Sequence, residues 1–285
     1  MSNDVQRFPL GEATVTIISI GDLRWDQQSA LGVPESAWRP RYTAYFEQPL
    51  HIPVQFVHIA APGVSLVVDA GVYDYPASWA DTLLIPGYTP PPGLVERLAE
   101  IGVQPEGITQ VVITHAHTDH FNGATQLRDG RYVPTFPNAR HYLSRADWDD
   151  PDMREWLADP NGMASHTLGV LHDQGLLELV EGDTDLGHGV RLVSAPGETD
   201  GHQLVRVESA GLVLYCLGDL YHHPVEVEQP TWMQVGVDVA ANERSRAAFT
   251  EAALAEDALL IAAHIPGPGR LTRTPEGVAW VTVNV

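Results

Sequence analysis

A short histidine-rich run carries most of the chemistry that this sequence can offer. His115, His117, Asp119 and His120 follow the apolar segment 109–114 almost directly. One regular face of a helix or strand cannot hold all four side chains, but a sharp turn that leads into a helix can bring them together. Neutral imidazole and carboxylate are ligands that zinc and related divalent ions prefer. The run therefore predicts a metal site rather than a polar loop.

Three later residues share one placement, at the boundary of an apolar or turn-rich segment. Asp219 and His264 each end an apolar segment, and His202 follows a turn-rich stretch. A rigid sheet can present several ligands along one edge in this way. Taken singly, such a histidine is more often an ordinary core or surface residue. As members of one repeating pattern, we interpret the three as further ligands.

The elements that must position these residues can be read from hydrophobic spacing. We expect strands at residues 15–20, 54–59, 64–69, 109–114, 190–194, 204–207, 212–217 and 258–263. We expect helices at 94–101 and 242–256, and helical patches at 148–157 and 165–174. Strand-rich halves mixed with single helices predict packed sheets with helices outside.

Two long aromatic segments are expected to be loops that wall a pocket. The first contains Trp25, Trp38, Tyr42, Tyr45 and Phe46, and the second contains Tyr73, Tyr75, Trp79 and Tyr88. Phe121 and Trp232 are further candidates for the pocket wall. The remaining histidines have no partner pattern and are expected to be ordinary residues: His51, His58, His141, His166, His172 and His188.

Composition limits the classes of protein and substrate. A chain of 285 residues with 44% hydrophobic and 19% charged residues predicts one globular domain over residues 1–285. No apolar run approaches the roughly 20 residues that span a bilayer, and the N-terminus lacks a secretory signal pattern, so we expect a cytoplasmic protein. The net charge of −21 disfavours nucleic acid. All 16 basic residues are arginine, which excludes lysine Schiff-base chemistry.

The ligand pattern resembles the metallo-β-lactamase-fold hydrolases, over nearly the whole chain from the 54–69 segment to His264. The resemblance implies an α/β fold, an αβ/βα sandwich of two mixed β-sheets with helices on the outer faces. It implies two metal ions, one held by His115, His117 and His202, the other by Asp119, His120 and His264, with Asp219 bridging them. It also implies that Asp69 supports the site by holding a ligand.

One stretch departs from the family pattern. The family usually has His-Thr-x-Gly-His where this chain has residues 198–202. Glu198 therefore replaces the first histidine of the pattern, and His202 is the second. That position is not normally a ligand, so metal binding is expected to survive the change. The expected effect is on the conformation of the loop.

Two divalent ions imply hydrolysis by a shared, metal-activated hydroxide. We expect zinc, with manganese, iron or cobalt as alternatives, and a small lactone or ester as the substrate. The layout is most similar to the branch of N-acyl-homoserine lactonases and methyl-parathion hydrolases. Asp119 is expected to transfer a proton. Tyr221, His222 or His223 is expected to hydrogen-bond the developing oxyanion, and His222 holds the offset at which such lactonases have a tyrosine.

Two other functions compete with this one. An organophosphate triester hydrolase would use the same two-metal site. A persulfide dioxygenase would use one iron and leave Asp119, His120 and His264 without a metal to bind. Class B β-lactamases usually lack an aspartate at the position of Asp219. The partner is expected to be a small molecule, with no nucleic acid and no membrane, and either a monomer or a homodimer fits the sequence.

Overall fold

Two seven-stranded β-sheets form the centre of the protein, in a computed structural model that describes residues 5–25, 31–46, 50–71 and 94–285. Sheet 1 has the strand order β1-β2-β3-β4-β5-β8-β9 and sheet 2 has the order β10-β11-β12-β13-β14-β15-β16, while β6 and β7 form a separate hairpin. The strands are β1 Val5–Leu10, β2 Ala13–Trp25, β3 Leu50–Ala61, β4 Val64–Val68, β5 Gln110–Val112, β6 Thr125–Arg128, β7 Arg131–Pro134, β8 Arg140–Ser144, β9 Leu177–Val180, β10 Thr184–Gly187, β11 Val190–Ser194, β12 Gln203–Ser209, β13 Leu212–Cys216, β14 Leu259–Ile261, β15 Gly269–Thr274 and β16 Gly277–Thr282.

Both sheets are mixed. The pairs β4–β5, β5–β8, β8–β9 and β13–β14 are parallel, and the other pairs within the two sheets are antiparallel. Parallel neighbours need a crossover connection, and most of the helices lie in these connections. The helices are α1 Glu35–Phe46, α2 Leu94–Glu100, α3 Thr118–Phe121, α4 Arg145–Asp149, α5 Pro151–Ala158, α6 Val170–Asp173, α7 Val225–Glu228 and α8 Val239–Ala255.

The core consists of one layer between the sheets and one layer outside each of them. Val15 and Leu66 of sheet 1 and Val205 and Leu214 of sheet 2 belong to one buried apolar cluster. Outside sheet 1, Leu94 and Leu98 of α2 pack with Val111. Outside sheet 2, Phe249 and Ala253 of α8 pack with Leu260. The predicted sandwich of two mixed sheets with helices on its outer faces is therefore confirmed.

One predicted loop is wrong, because residues 35–46 form helix α1. Pro40 lies inside this helix and Tyr42 has a non-helical backbone with φ −115°, which interrupts the apolar spacing that would reveal a helix. Trp38 and Tyr42 are buried with Leu31 and Val225. These aromatic rings contribute to core packing.

The other aromatic candidates divide into two sets. Trp232 packs edge-on against Tyr42, with ring centroids 5.6 Å apart, so it belongs to the same packing cluster. The side chains of Trp25, Tyr45, Phe46 and His51, and the whole predicted loop that carries Tyr73, Tyr75, Trp79 and Tyr88, lie outside the described residues. No helix in the described part of the chain is long and apolar enough to cross a membrane.

A buried histidine in sheet 1 gives a prediction about stability. Burial lowers the pKa of His141 in β8 to about 4. The unfolded chain has an ordinary histidine pKa of about 6.5, so it binds more protons than the folded chain between these two values. The free energy of unfolding should therefore rise with pH through that window.

We expect His141→Phe to remove about 3 kcal/mol of this pH dependence, since one pKa unit corresponds to about 1.4 kcal/mol. Denaturant unfolding of both proteins at several pH values between about 4 and 7 measures the difference in slope. His172→Phe is the matched control, because the side chain of His172 is half exposed. Equal slopes for wild type and His141→Phe would contradict the prediction.

Candidate metal centre

The ends of four strands bring the predicted ligands together. In sheet 1, Asp69 follows β4 and the run from Thr114 to His120 follows β5, and these two strands are parallel neighbours. In sheet 2, Asp219 and His264 follow the parallel neighbours β13 and β14. The carboxyl ends of parallel strands meet at one edge of a sheet, where open sheets carry their sites. The two edges face each other, as the contacts below show.

The polar side chains at these edges form two groups that share no residue, and Asp219, His222 and His264 form a third group that overlaps both. In the first group, His115, His117, Glu198 and Asp219 each place one ligand atom within 4.8 Å of the others. The second group, with the same spacing, consists of Asp119, His120 and His264. Six of the seven predicted ligands are therefore brought together, and Glu198 joins them although the sequence did not predict it as a ligand.

The carboxylate of Asp219 lies between the two groups. Its Oδ1 is 3.2 Å from His120 Nε2. Its Oδ2 is 3.6 Å from His115 Nε2 and 3.3 Å from His264 Nε2. One carboxylate thus faces imidazoles of both groups, which is the placement that a bridging ligand requires.

The donor set fits divalent cations. His120 Nε2 and Asp219 Oδ1 are buried and lie 3.2 Å apart, and neither makes a hydrogen bond of normal geometry among the described residues, so both atoms can face a cation. His264 donates from Nδ1 to the carbonyl of Pro53 at 2.8 Å, which leaves its Nε2 for the site. Imidazole nitrogen and carboxylate oxygen are the atoms that zinc, manganese, iron and cobalt bind.

The buried charges of the site favour a bound cation. Burial lowers the pKa of His115 well below its ordinary value, so this imidazole is neutral, as a ligand must be. Burial also opposes the charging of His264, but the carboxylates of Asp219 and Asp119 raise its pKa to about 10. The buried carboxylates thus outweigh desolvation and favour a cation beside them.

His202 lies next to the first group without joining it. Its Nδ1 donates to the carbonyl of Ala195 at 3.0 Å, and its Nε2 accepts the backbone N–H of Asp219 at 3.1 Å. Its ring centroid is 5.1 Å from that of His115. His202 was predicted as a ligand of the first ion, whereas the structure places it beside the first group with both ring nitrogens bonded to other partners.

The structure separates two of the residues predicted to stabilise an oxyanion. His222 is buried with its Nε2 3.2 Å from Asp219 Oδ2, and its ring stacks on His264 at 5.4 Å. The hydroxyl of Tyr221 lies 3.4 Å from Thr250 Oγ1 on α8, and its ring belongs to the apolar cluster outside sheet 2. His222 therefore reaches the site, and the described contacts of Tyr221 are those of a core residue.

Comparison with known proteins decides the family. The model of the Metallo-beta-lactamase superfamily matches residues 59–264, a segment that contains both groups of side chains. The chain belongs to the metallo-beta-lactamase superfamily. The prediction of a metal-dependent hydrolase is confirmed at the level of this family.

Relatives in the superfamily are similar to the chain at low identity. An N-acyl homoserine lactonase of Bacillus cereus is 25% identical over 182 residues, which are 60% of this chain and 66% of that protein. The N-acyl homoserine lactonase AttM of Rhizobium radiobacter is 26% identical over 235 residues, 75% of this chain and 82% of that protein.

Solved structures of the superfamily share the fold over almost the full length. The hydrolase AbOPH superposes with a TM-score of 0.81 at 18% identity, covering 99% of this chain and 98% of that one. The dizinc quorum-quenching lactonase AidC superposes with a TM-score of 0.79 at 19% identity, with the same coverage. At this level of identity the likeness establishes the fold.

Two supporting carboxylates hold the ligand loops of this superfamily member. Asp69 accepts the backbone N–H of Thr114 at 2.8 Å and lies 2.9 Å from His120 Nδ1, which agrees with its predicted support of a ligand. Asp147, which sequence reasoning missed, accepts the N–H of Ala116 at 2.8 Å and of Gly201 at 2.7 Å. It joins the loops that carry the ligands of both sheets.

Asp147→Ala should therefore weaken metal binding by about 10–100-fold, the usual cost of losing a partner that orients ligands. Two buried N–H groups would lose their acceptor, and the loops after β5 and before β12 would lose their connection. Metal titration with a chromophoric chelator as competitor measures the change. Asp149→Ala is the matched control, because this carboxylate on the same helix makes an exposed ion pair with Arg154. Equal affinities in the two variants would contradict the prediction.

A cavity opens beside the second group. It has a volume of about 540 Å³ and is lined by His117, Asp119 and Phe121 together with Trp156 and Met163. Phe121, a predicted wall residue, borders this cavity but is buried in a core cluster, whereas the exposed Trp156 was not predicted because it lies in an ambiguous helical stretch. A second cavity of about 360 Å³ also reaches His117 and contains Glu198 in its wall.

Proposed function

We propose that this member of the superfamily is a dinuclear metal-dependent hydrolase of small lactones or esters. The observation that carries the proposal is the Asp219 carboxylate between two His/Asp groups, next to a cavity with apolar walls. Its curated relatives named as N-acyl homoserine lactonases support the lactone class. All three residues of the second group, Asp119, His120 and His264, lie together. A mononuclear iron dioxygenase would leave these three residues without a metal, so the arrangement disfavours that function.

The proposed ligands are His115 and His117 for the first ion, Asp119, His120 and His264 for the second, and Asp219 for both. His202, which the sequence predicts for the first ion, lies beside the first group with both ring nitrogens hydrogen-bonded to other partners. Zinc is the proposed metal, with manganese, iron or cobalt as alternatives, and the dizinc neighbour supports this choice. When bound, two such ions polarise a carbonyl and bring the pKa of a water towards neutrality.

The side chains around these ligands supply orientation and proton transfer. Asp119 lines the cavity and is 18% exposed at its side chain, so its carboxylate can take a proton and return it to the leaving alkoxide. His222 can hydrogen-bond an oxygen on which negative charge develops. Phe121 and Trp156 give the cavity an apolar wall that suits an acyl chain.

A substrate panel tests the proposal. The metal-loaded protein is assayed on lactones of increasing acyl length, aryl esters, phosphotriesters and β-lactams. We expect turnover of lactones or esters, with kcat/KM that rises as the acyl chain lengthens, because more apolar surface is buried. Turnover of phosphotriesters or β-lactams without any lactone or ester turnover would overturn the substrate class. The cytoplasmic location, the single domain and the choice between monomer and homodimer stay predictions.

His222→Phe should lower kcat more than it raises KM, because a hydrogen bond to a developing oxyanion matters mainly in the transition state. Phenylalanine keeps a planar ring that can stack on His264. Tyr221→Phe is the control, since its hydroxyl faces Thr250, and we expect its kinetic constants to match wild type. Steady-state kinetics at equal metal content measure both. A raised KM with unchanged kcat in His222→Phe would contradict the assignment.

A further inference from the structure

Glu198 is a buried acid in the position where the family pattern has a histidine. Its side chain is 1% exposed, and its Oε1 lies 3.6 Å from His117 Nδ1. One of its carboxylate oxygens belongs to the group of ligand atoms from His115, His117 and Asp219 that all lie within 4.8 Å of one another. Glu198 thus faces the first metal position from the loop that precedes β12.

The loop that carries Glu198 is fixed by helix α8. The backbone N–H of Asp238 donates to the carbonyl of Gly197 at 2.9 Å, and Ser245 Oγ donates to the carbonyl of Pro196 at 2.7 Å. Gly197 has φ +147°, and a Cβ there would lie 2.4 Å from the Cα of Asn242. The close contact holds the loop against the helix, so the direction of the Glu198 side chain is built into the fold.

The hydrogen bonds of Glu198 leave one carboxylate oxygen for another partner. Gln234 Nε2 donates to Oε1, whereas Oε2 is buried and has no hydrogen-bond partner in the described part of the chain. No arginine forms an ion pair with Glu198 among the described residues. A buried acid without a counter-charge is either protonated or paired with a cation, and the ligand atoms of His115, His117 and Asp219 beside Glu198 suit a cation.

His202, which the sequence predicts as the third ligand of the first ion, has both ring nitrogens occupied. Nδ1 donates to Ala195 and Nε2 accepts from the Asp219 backbone. Glu198 instead places a carboxylate oxygen within the first group, and its Oε2 is buried without a hydrogen-bond partner in the described part of the chain. The two residues lie on the same loop, four positions apart, so one can take the coordination position that the other leaves.

We propose that Glu198 is a ligand of the first metal ion, which this chain holds with two imidazoles and two carboxylates from His115, His117, Glu198 and Asp219. The inference rests on the proposed two-metal function and assigns the metal preference of that same site. Carboxylate oxygen suits Mn²⁺ better than imidazole does, and imidazole suits Zn²⁺. Glu198 therefore shifts the first position towards manganese.

Metal affinities of Glu198→Gln provide the test, with zinc and manganese as the probes. The variant keeps the size of the side chain and its contact with Gln234 but removes the charge. We expect the affinity for Mn²⁺ to fall by about 10–100-fold and the affinity for Zn²⁺ to fall less. Competitive titration and elemental analysis of the whole protein give both values without any assay of activity. Asp200→Asn is the matched control, because Asp200 is exposed on the same loop, and its affinities should equal those of wild type.

A second variant keeps the test decisive if Glu198→Gln does not fold. Glu198→His places an imidazole in the same position, and we expect it to bind two ions with a preference for Zn²⁺ over Mn²⁺ that is at least about 10-fold higher than in wild type. An unchanged preference would overturn the inference.

The outcomes separate the inference from the proposed function. If wild type binds two ions and Glu198→Gln has the same affinities for both metals, the inference fails and the proposed function stands. If that variant keeps its metal affinities but loses kcat, Glu198 contacts the substrate and the ligand assignment is overturned. If wild type binds no divalent ion, both fail.

Discussion

Asp219→Ala is expected to lose one of the two metal ions and to lower turnover by at least about 100-fold, since a ligand shared by both ions costs more than the 10–100-fold of a supporting residue. The reason is the position of its carboxylate between the two groups. Besides the three imidazoles named above, His222 Nε2 lies 3.2 Å from Oδ2. Without the carboxylate, four imidazoles would surround two cations with no bridging negative charge between them.

Two variants control for charge and for shape in this experiment. Asp219→Asn keeps the shape and one carbonyl oxygen, so we expect it to retain more metal than Asp219→Ala while still losing most of the turnover. Asp200→Ala removes one exposed carboxylate from the neighbouring loop and should behave as wild type. Elemental analysis and kcat measured on the same preparations decide the outcome. Two ions per chain and a full rate in Asp219→Ala would show that this carboxylate does not bridge.

The clustering of six of the seven predicted side chains could be predicted because its information is local. His115, His117, Asp119 and His120 lie in one short run, and Asp219 and His264 end apolar strands. Strand ends at one sheet edge place side chains close together whatever the rest of the chain does. The two-sheet architecture followed from the same strands, and the contacts of both groups agree with it.

The role of Glu198 could not be predicted from its position in the sequence. The family pattern indicated a change in loop conformation, whereas the structure places the side chain in the first group. That placement depends on α8, which follows about 40 residues later in the chain, through Asp238 and Ser245. Contacts at such separation leave no periodic signal in the sequence.

The buried support beyond Asp219 was missed for the same reason. Arg246 is 1% exposed and donates to the carbonyl of Leu220 at 2.9 Å and to Glu226 Oε2 at 3.1 Å. Glu226 in turn accepts the backbone N–H of His222 at 2.8 Å. From the sequence, an arginine in a helical stretch is expected to be exposed to solvent. Arg246 instead fixes the turn that carries Asp219 and His222.

Comparison of His117→Ala with His166→Ala separates the chemistry of this site from its folding. His117 has a side chain that is 40% exposed, so its removal leaves little buried apolar volume empty and should not unfold the protein. Its Nδ1 faces His115 Nε2 at 2.9 Å, in the first metal group. We therefore expect normal folding, a weakened first metal ion and turnover that falls by at least about 100-fold.

His166 is the matched control, because it is also a half-buried histidine but lies outside both groups. Its ring stacks on Tyr132 at a centroid distance of 4.2 Å, and its Nε2 donates to the carbonyl of Pro160 at 2.8 Å. Losing these contacts should lower the free energy of unfolding by about 1 kcal/mol and leave kcat and metal content unchanged. Unfolding curves, metal content and kcat of the two variants give opposite patterns if the assignment holds. Equal losses of turnover in both would mean that the histidines of the run act through the fold rather than as ligands.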